Sequence, residues 1–145
     1  MTDLLNSVIS AAEDAGRIML TDGGFTVDKK GTKENYVTSS DRKVEDMLRV
    51  KLRDILPDSG FLGEERGETD LDSDYVWIVD PIDGTANYAR GIPGSVCSIA
   101  LENKGEVILG VVCNPYTGET FYAEKGRGAF LGGEPIRVSS RDSAH

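Results

Sequence analysis

The chain has 145 residues, 39% hydrophobic and 28% charged, as in a soluble globular domain with a core of its own. A net charge of -9 argues against a broad non-specific nucleic-acid face. No apolar run is long enough to span a membrane, and no signal-peptide pattern opens the chain, so it reads as cytoplasmic and not membrane-bound.

Leu4, Leu5, Val8, Ile9, Ala12, Ala15, Ile18 and Met19 recur at helical spacing, which predicts an amphipathic helix over Asp3 to Leu20 with Thr2 as its cap. Asp22-Gly23-Gly24 ends it, and Phe25-Thr26-Val27 reads as a short strand. A second helix is predicted from Ser40 to Leu56, with Val44, Met47, Leu48, Leu52 and Ile55 inward and Pro57-Asp58 as its stop.

Strand patterns follow at Phe61-Leu62 and at Tyr75 to Val79, then a helical turn near Thr85 to Tyr88. Further strands are read at Ser95 to Leu101, Val107 to Val112 and Thr120 to Ala123, and Gly126 to Gly133 reads as a glycine-rich hairpin. Helices first and hairpins after describe an α+β fold, two helices on a mostly antiparallel mixed sheet. A turn at Asn103-Lys104-Gly105-Glu106 would bring Cys97 and Cys113 near each other; a reduced pair suits a cytosolic chain, and a disulfide stays open. His145 is the only histidine and ends the sequence given, so histidine-based acid–base chemistry and zinc sites are not expected.

Asp80-Pro81-Ile82-Asp83-Gly84-Thr85 follows the apolar run Tyr75 to Val79. Two carboxylates three residues apart at a strand end can converge, and the helix start at Gly84-Thr85 offers N–H groups to an anion. By themselves the six residues also fit an ordinary Pro/Asp/Gly turn. The surroundings are acidic: Asp58, Glu64, Glu65, Glu68, Asp70, Asp72, Asp74, Asp80 and Asp83 face Arg66 alone. Two like charges at 4 Å repel by about 4 kcal/mol at an effective dielectric near 20, so gathering several calls for a cation or a raised pKa. Hard oxygen ligands favour Mg²⁺, Ca²⁺ or Mn²⁺ over zinc. Glu68, Asp70, Asp72 and Asp74 alternate with small polar residues and read as a solvated loop.

Trp77-Ile78-Val79-Asp80-Pro81-Ile82-Asp83-Gly84-Thr85-Ala86-Asn87-Tyr88, followed by Gly91-Ile92-Pro93, resembles the first signature of the inositol monophosphatase family. Gly63-Glu64-Glu65 is similar to the family's metal-binding glutamate segment. Val37-Thr38-Ser39-Ser40-Asp41-Arg42-Lys43-Val44-Glu45 resembles its Thr/Asp/Glu segment, and Gly126-Arg127-Gly128-Ala129-Phe130 its glycine-rich hairpin. The match runs in order along nearly the whole chain.

The resemblance implies the N-terminal half of the layered inositol monophosphatase/fructose bisphosphatase fold, a metal- and phosphate-binding domain over residues 1–145. It implies Mg²⁺-dependent, lithium-sensitive hydrolysis of a small sugar or polyol phosphate, inositol monophosphate first, by a homodimer; Mn²⁺ is a substitute metal. Fructose-1,6-bisphosphatase or histidinol phosphate phosphatase activity is the alternative, and a non-catalytic metal-binding interaction module the alternative of another class. Glu64, Asp80, Asp83 and the Ile82 carbonyl would hold two or three ions. Gly84, Thr85 and Asp83 would meet the substrate. Thr85, bonded to Asp41, would with Glu64 orient and deprotonate the attacking water. Lys30 matches a family lysine near the metals, whereas Asn35 stands where several members carry an acid. A further Trp-Asp-x-Ala-Ala-Gly motif, whose aspartate completes the family's metal site, is absent from these residues, so the segment alone is expected to be weak or inactive.

Overall fold

Thr2 opens the first helix as predicted: its hydroxyl accepts the Leu5 N–H at 3.1 Å and donates to Glu124 at 3.0 Å. A computed structural model describes residues 2–22, 27–29 and 36–142. Lys30, Asn35, His145 and the Phe25-Thr26 part of the expected strand lie outside the described residues.

Helix α1 spans Asp3–Thr21 and buries Leu5, Val8, Ala11, Ala12, Ala15, Gly16 and Met19. Helix α2 spans Ser39–Ile55 and buries Val44, Leu48 and Leu52, while Met47 and Ile55 are partly buried against the core. Its N-terminus is closed by a capping box between Thr38 and Asp41, a device worth about 1 kcal/mol.

Strands β1 (Val27–Lys29) and β2 (Tyr36–Thr38) form a small antiparallel pair. The main sheet holds β3 (Gly60–Gly63), β4 (Glu68–Thr69), β5 (Tyr75–Asp83), β6 (Val96–Asn103), β7 (Glu106–Asn114), β8 (Glu119–Glu124), β9 (Gly128–Leu131) and β10 (Glu134–Ile136). Their order is β10-β9-β8-β7-β6-β5-β3-β4, antiparallel throughout except for β3 beside β5. A short helix α3, Thr85–Ala89, follows β5. The architecture is the expected α+β one, with three helices and a mixed main sheet among the described residues.

Alternation along the strands builds the core. Phe61, Trp77, Leu101 and Leu109 form one row across β3, β5, β6 and β7, and Val79, Ile99, Val111 and Tyr122 form the next. All eight are buried and join the α1 and α2 side chains in one cluster. Each fully buried aliphatic contributes roughly 1.5–3 kcal/mol. Trp77 is a core residue, 1% exposed, and keeps its polar end satisfied by donating from Nε1 to Ser59 Oγ at 3.0 Å. Cys97 stands opposite Cys113, the juxtaposition anticipated from the turn, and both are free buried thiols. Burial pushes both thiols up, away from reactivity.

Three readings need correction, and one strand went unread. Strand β5 runs on through Asp83 instead of stopping at Val79. Glu68 pairs in the two-residue β4 instead of a free loop, though it is exposed. The stretch Gly126 to Gly133 is not one hairpin: it holds β9 with a turn at each end, and β10 follows. Strand β2 was concealed in a segment with no alternation long enough to read.

Candidate functional site

Strand register decides where the acids meet. Gly63 of β3 lies beside Val79 of the parallel β5. The next residues, Glu64 just past the end of β3 and Asp80 still within β5, therefore stand side by side, and their carboxyls are within hydrogen-bonding reach. Pro81 follows where β3 has already ended, so its missing N–H removes no ladder bond on that side.

Between Asp80 and Asp83 the strand carries one extra residue. Asp80 pairs with Ser98 and Asp83 with Val96, so Pro81 and Ile82 stand against Cys97 alone. Residues three apart on a regular strand point to opposite faces; the bulge returns Asp83 to the face of Asp80. Burial agrees, because the inward series Trp77, Val79 resumes at Ile82, which is 1% exposed. The sequence reading ended the strand at Val79 and left an ordinary Pro/Asp/Gly turn open here; the bulge is how a strand accommodates these residues.

Gly84 then takes a left-handed conformation, φ 89°, that only glycine adopts cheaply. It caps α3 from the backbone, with no side-chain cap, and Ser95 Oγ donates to its carbonyl at 3.2 Å. Thr85 is thus the first residue of α3, and its hydroxyl is directed elsewhere: Asp41 Oδ1 and the Ile82 carbonyl both lie 2.9 Å away. A hydroxyl has one proton, so these two acceptors hold it between them and leave an oxygen lone pair for another donor.

Asp41 is fully buried and fully engaged. Its Oδ2 accepts from the Thr38 N–H at 2.8 Å and from the Thr38 hydroxyl at 2.5 Å, while Oδ1 serves Thr85. It is both a helix N-terminal acid and the partner of Thr85. Tyr88 belongs to the core, its hydroxyl within 3.0 Å of the Met19 carbonyl and 3.1 Å of Ser40 Oγ.

Asp80 is the strained member of the set. Its carboxyl is pushed up from 3.8 to about 7, first by burial, then by the Glu64 charge and the hydrogen bond shared with it, then by Asp83 and Asp41. Its Oδ1 is buried with no hydrogen-bond partner. Among the described residues no three Asp, Glu, His or Cys side chains are gathered into a ready cation cage. What is gathered is the pair Glu64–Asp80, with Asp83 acting on Asp80 through its charge and the Ile82 carbonyl engaged by Thr85. An orphaned carboxylate oxygen amid like charges, with hard oxygens only, is an environment that a divalent cation such as Mg²⁺ fits.

Sequence reasoning quoted Glu45 without giving it a role. It is fully buried, and its two oxygens accept the N–H groups of Glu65 at 2.8 Å and Arg66 at 2.6 Å. The signal was there: Glu45 lies one turn from Asp41 and between the buried Val44 and Leu48, and an acid on an apolar helix face needs partners. Arg49, Ser95 and Ser40 were likewise missed, their partners lying far off in sequence.

Comparison with known proteins bears on the same residues. The model of the inositol monophosphatase family matches residues 1–145. The inositol-1-monophosphatase of Mesorhizobium japonicum is 43% identical over 143 residues, covering 95% of this chain and 53% of that protein. The fructose-1,6-bisphosphatase/inositol-1-monophosphatase of Thermotoga maritima is 40% identical over 143 residues, covering 97% of this chain and 55% of that protein. The crystal structure of the extragenic suppressor protein suhB from Bartonella henselae superposes with a TM-score of 0.92 at 41% identity, covering 97% of this chain and 56% of that one. The chain spans about half the length of the curated relatives it matches.

Proposed function

This chain belongs to the inositol monophosphatase family, and we propose that it serves the Mg²⁺-dependent hydrolysis of a sugar or polyol phosphate monoester, inositol monophosphate first. The observation that carries this reading is the Thr85 hydroxyl fixed by buried Asp41 in the helix start that follows β5, the strand that carries Asp80 beside Glu64.

In this reading Glu64, Asp80, Asp83 and the Ile82 carbonyl hold Mg²⁺, with Mn²⁺ able to replace it. A bound divalent cation lowers the pKa of water and neutralises charge on phosphate and leaving oxygens. The residues of the chain do the rest. Asp41 keeps the Thr85 proton turned inward, so the Thr85 oxygen accepts a hydrogen bond from the attacking water and aims it. Glu64, exposed at the end of β3, takes the water's proton on its carboxylate. The amides of Gly84 and Thr85 donate to phosphate oxygens, and Asp83, exposed beside them, meets the substrate.

The name of the Thermotoga maritima relative joins two substrates, and fructose-1,6-bisphosphate is the second candidate for this chain on that ground. Lithium sensitivity, a homodimer and a cytoplasmic setting belong to the same proposal. No described helix is long and apolar enough to cross a membrane.

Phosphate release by the purified protein from inositol monophosphate, fructose-1,6-bisphosphate and histidinol phosphate tests the reading. Turnover, weak in this segment alone, is expected to need Mg²⁺ and to be highest on the first. In parallel, calorimetric titration with Mg²⁺ should show uptake that Asp80→Asn largely removes. Equal uptake by both proteins, with no turnover of any ester, would leave a non-catalytic module as the better account.

A further inference from the structure

Glu45 and Arg49 face the same short turn from successive turns of α2. Glu45 Oε1 and Oε2 accept the consecutive amides of Glu65 and Arg66. Arg49 Nη2 donates to the Gly67 carbonyl at 2.5 Å, and Nη1 donates to Thr69 Oγ1 at 3.0 Å. The guanidinium lies 4.3 Å over the Phe61 ring and 3.6 Å from Glu45 Oε2. The turn that carries Glu64 is therefore held at both ends: its amides by Glu45, its last carbonyl by Arg49. The Gly63 N–H also meets the Gly67 carbonyl at 3.4 Å.

The fit is close. A Cβ on Gly63 would lie 2.5 Å from Glu45 Oε1 and 2.6 Å from its Cδ, so the carboxylate rests directly on the backbone that leads into Glu64. Residues 41, 45 and 49 succeed one another at four-residue spacing and share a helix face. From that face Asp41 fixes Thr85, while Glu45 and Arg49 fix the Glu64 turn. Two loops leaving different strands are thus set relative to one rigid rod.

We propose that Glu45, braced by Arg49, is the positioning residue that holds Glu64 beside Asp80. Its catalytic consequence rests on the phosphatase reading above, but the hold on the turn does not. A carboxylate presents an acceptor to each amide. Glutamine presents one acceptor and one NH₂ group, and the latter opposes the second N–H.

Glu45→Gln is tested by hydrogen exchange in the metal-free protein and by Mn²⁺ titration. Exchange at the Glu65 and Arg66 amides is expected to quicken about tenfold, the scale of one hydrogen bond to a charged group, with the amides of Ile99 and Val111 unchanged. Half-saturating Mn²⁺ is expected to rise about tenfold as Glu64 loses its place. Unchanged exchange at the two amides would overturn the proposal. Faster exchange with an unaltered Mn²⁺ requirement would overturn it too, because the turn would then not be what places Glu64. Faster exchange in a chain whose wild type takes up no Mn²⁺ would uphold the hold on the turn and count against the metal reading instead. Should Glu45→Gln fail to fold, Arg49→Met removes the other end of the hold from a side chain that is 22% exposed. The same two amides should then exchange faster, and unaltered rates would overturn the proposal.

Discussion

Thr85 and Asp41 stand 44 positions apart and are joined by a 2.9 Å hydrogen bond from the Thr85 hydroxyl to Asp41 Oδ1. The bond ties the start of α3 to the first turn of α2. It also fixes the direction of the Thr85 hydroxyl proton.

Thr85→Ala removes that donor and leaves Asp41 Oδ1 buried without it. Stability should fall by about 1–3 kcal/mol, the cost of an unsatisfied buried acceptor. On the proposed phosphatase reading kcat should fall by about a hundredfold with KM little changed, because the hydroxyl would aim the water and not hold the ground state. Thr85→Ser keeps the hydroxyl and should recover most of both losses. Denaturant melts beside steady-state kinetics decide the matter, and an unaltered kcat in the alanine variant would remove Thr85 from the mechanism.

Asp80 makes stability fall as pH rises. Its folded pKa, near 7, lies above its ordinary value of 3.8, so between the two the native state holds a proton that the unfolded state has lost. Native stability therefore declines through that window and is lowest, as far as this group is concerned, above about pH 7. Asp80→Asn should match wild type near pH 4 and exceed it by about 1 kcal/mol near pH 8, a figure discounted for the solvent screening of a half-buried group. Urea melts in a chelator measure this. Added Mg²⁺ should then stabilise wild type and leave the variant unchanged. An asparagine variant weaker than wild type at the higher pH would contradict this account of the Asp80 environment.

Gly63→Ala places a methyl against Glu45 and against Phe61 Cε1, at 2.7 Å. Overpacking of this kind should lower stability by about 1–3 kcal/mol. Gly110→Ala on β7 is the control, since a Cβ there meets nothing within 4 Å, and it should be neutral or slightly stabilising. Thermal melts of the two variants should separate clearly; indistinguishable curves would show that the Gly63 backbone has room to move.

What could be read from the sequence follows from range. The 3.6-residue period of α1 and α2 and the two-residue period of β6 and β7 are local, and their bounds were found to within two residues. The Cys97–Cys113 juxtaposition followed from a single tight turn. Asp80 and Asp83 stood out by residue type and spacing, and Glu64 and Thr85 by the family resemblance of their segments. The bulge in β5 stayed hidden because its register is set by β6, and residue type at that point speaks for a turn. The helix period shows that Glu45 is turned inward, but not what it meets, because its partners are backbone amides twenty and twenty-one positions away.

The extra residue in β5 also separates two kinds of sensitivity. Ile82 has no register partner on β6, and its carbonyl accepts from the Thr85 hydroxyl. Every side chain of the candidate site can be exchanged by substitution, but this oxygen belongs to the main chain and survives any replacement of Ile82. Deleting either Pro81 or Ile82 would leave the two aspartates two apart, still on a common face, while drawing the strand back into regular pairing. A scan of point variants would thus pass over one component of the site, which answers to chain length and not to residue identity.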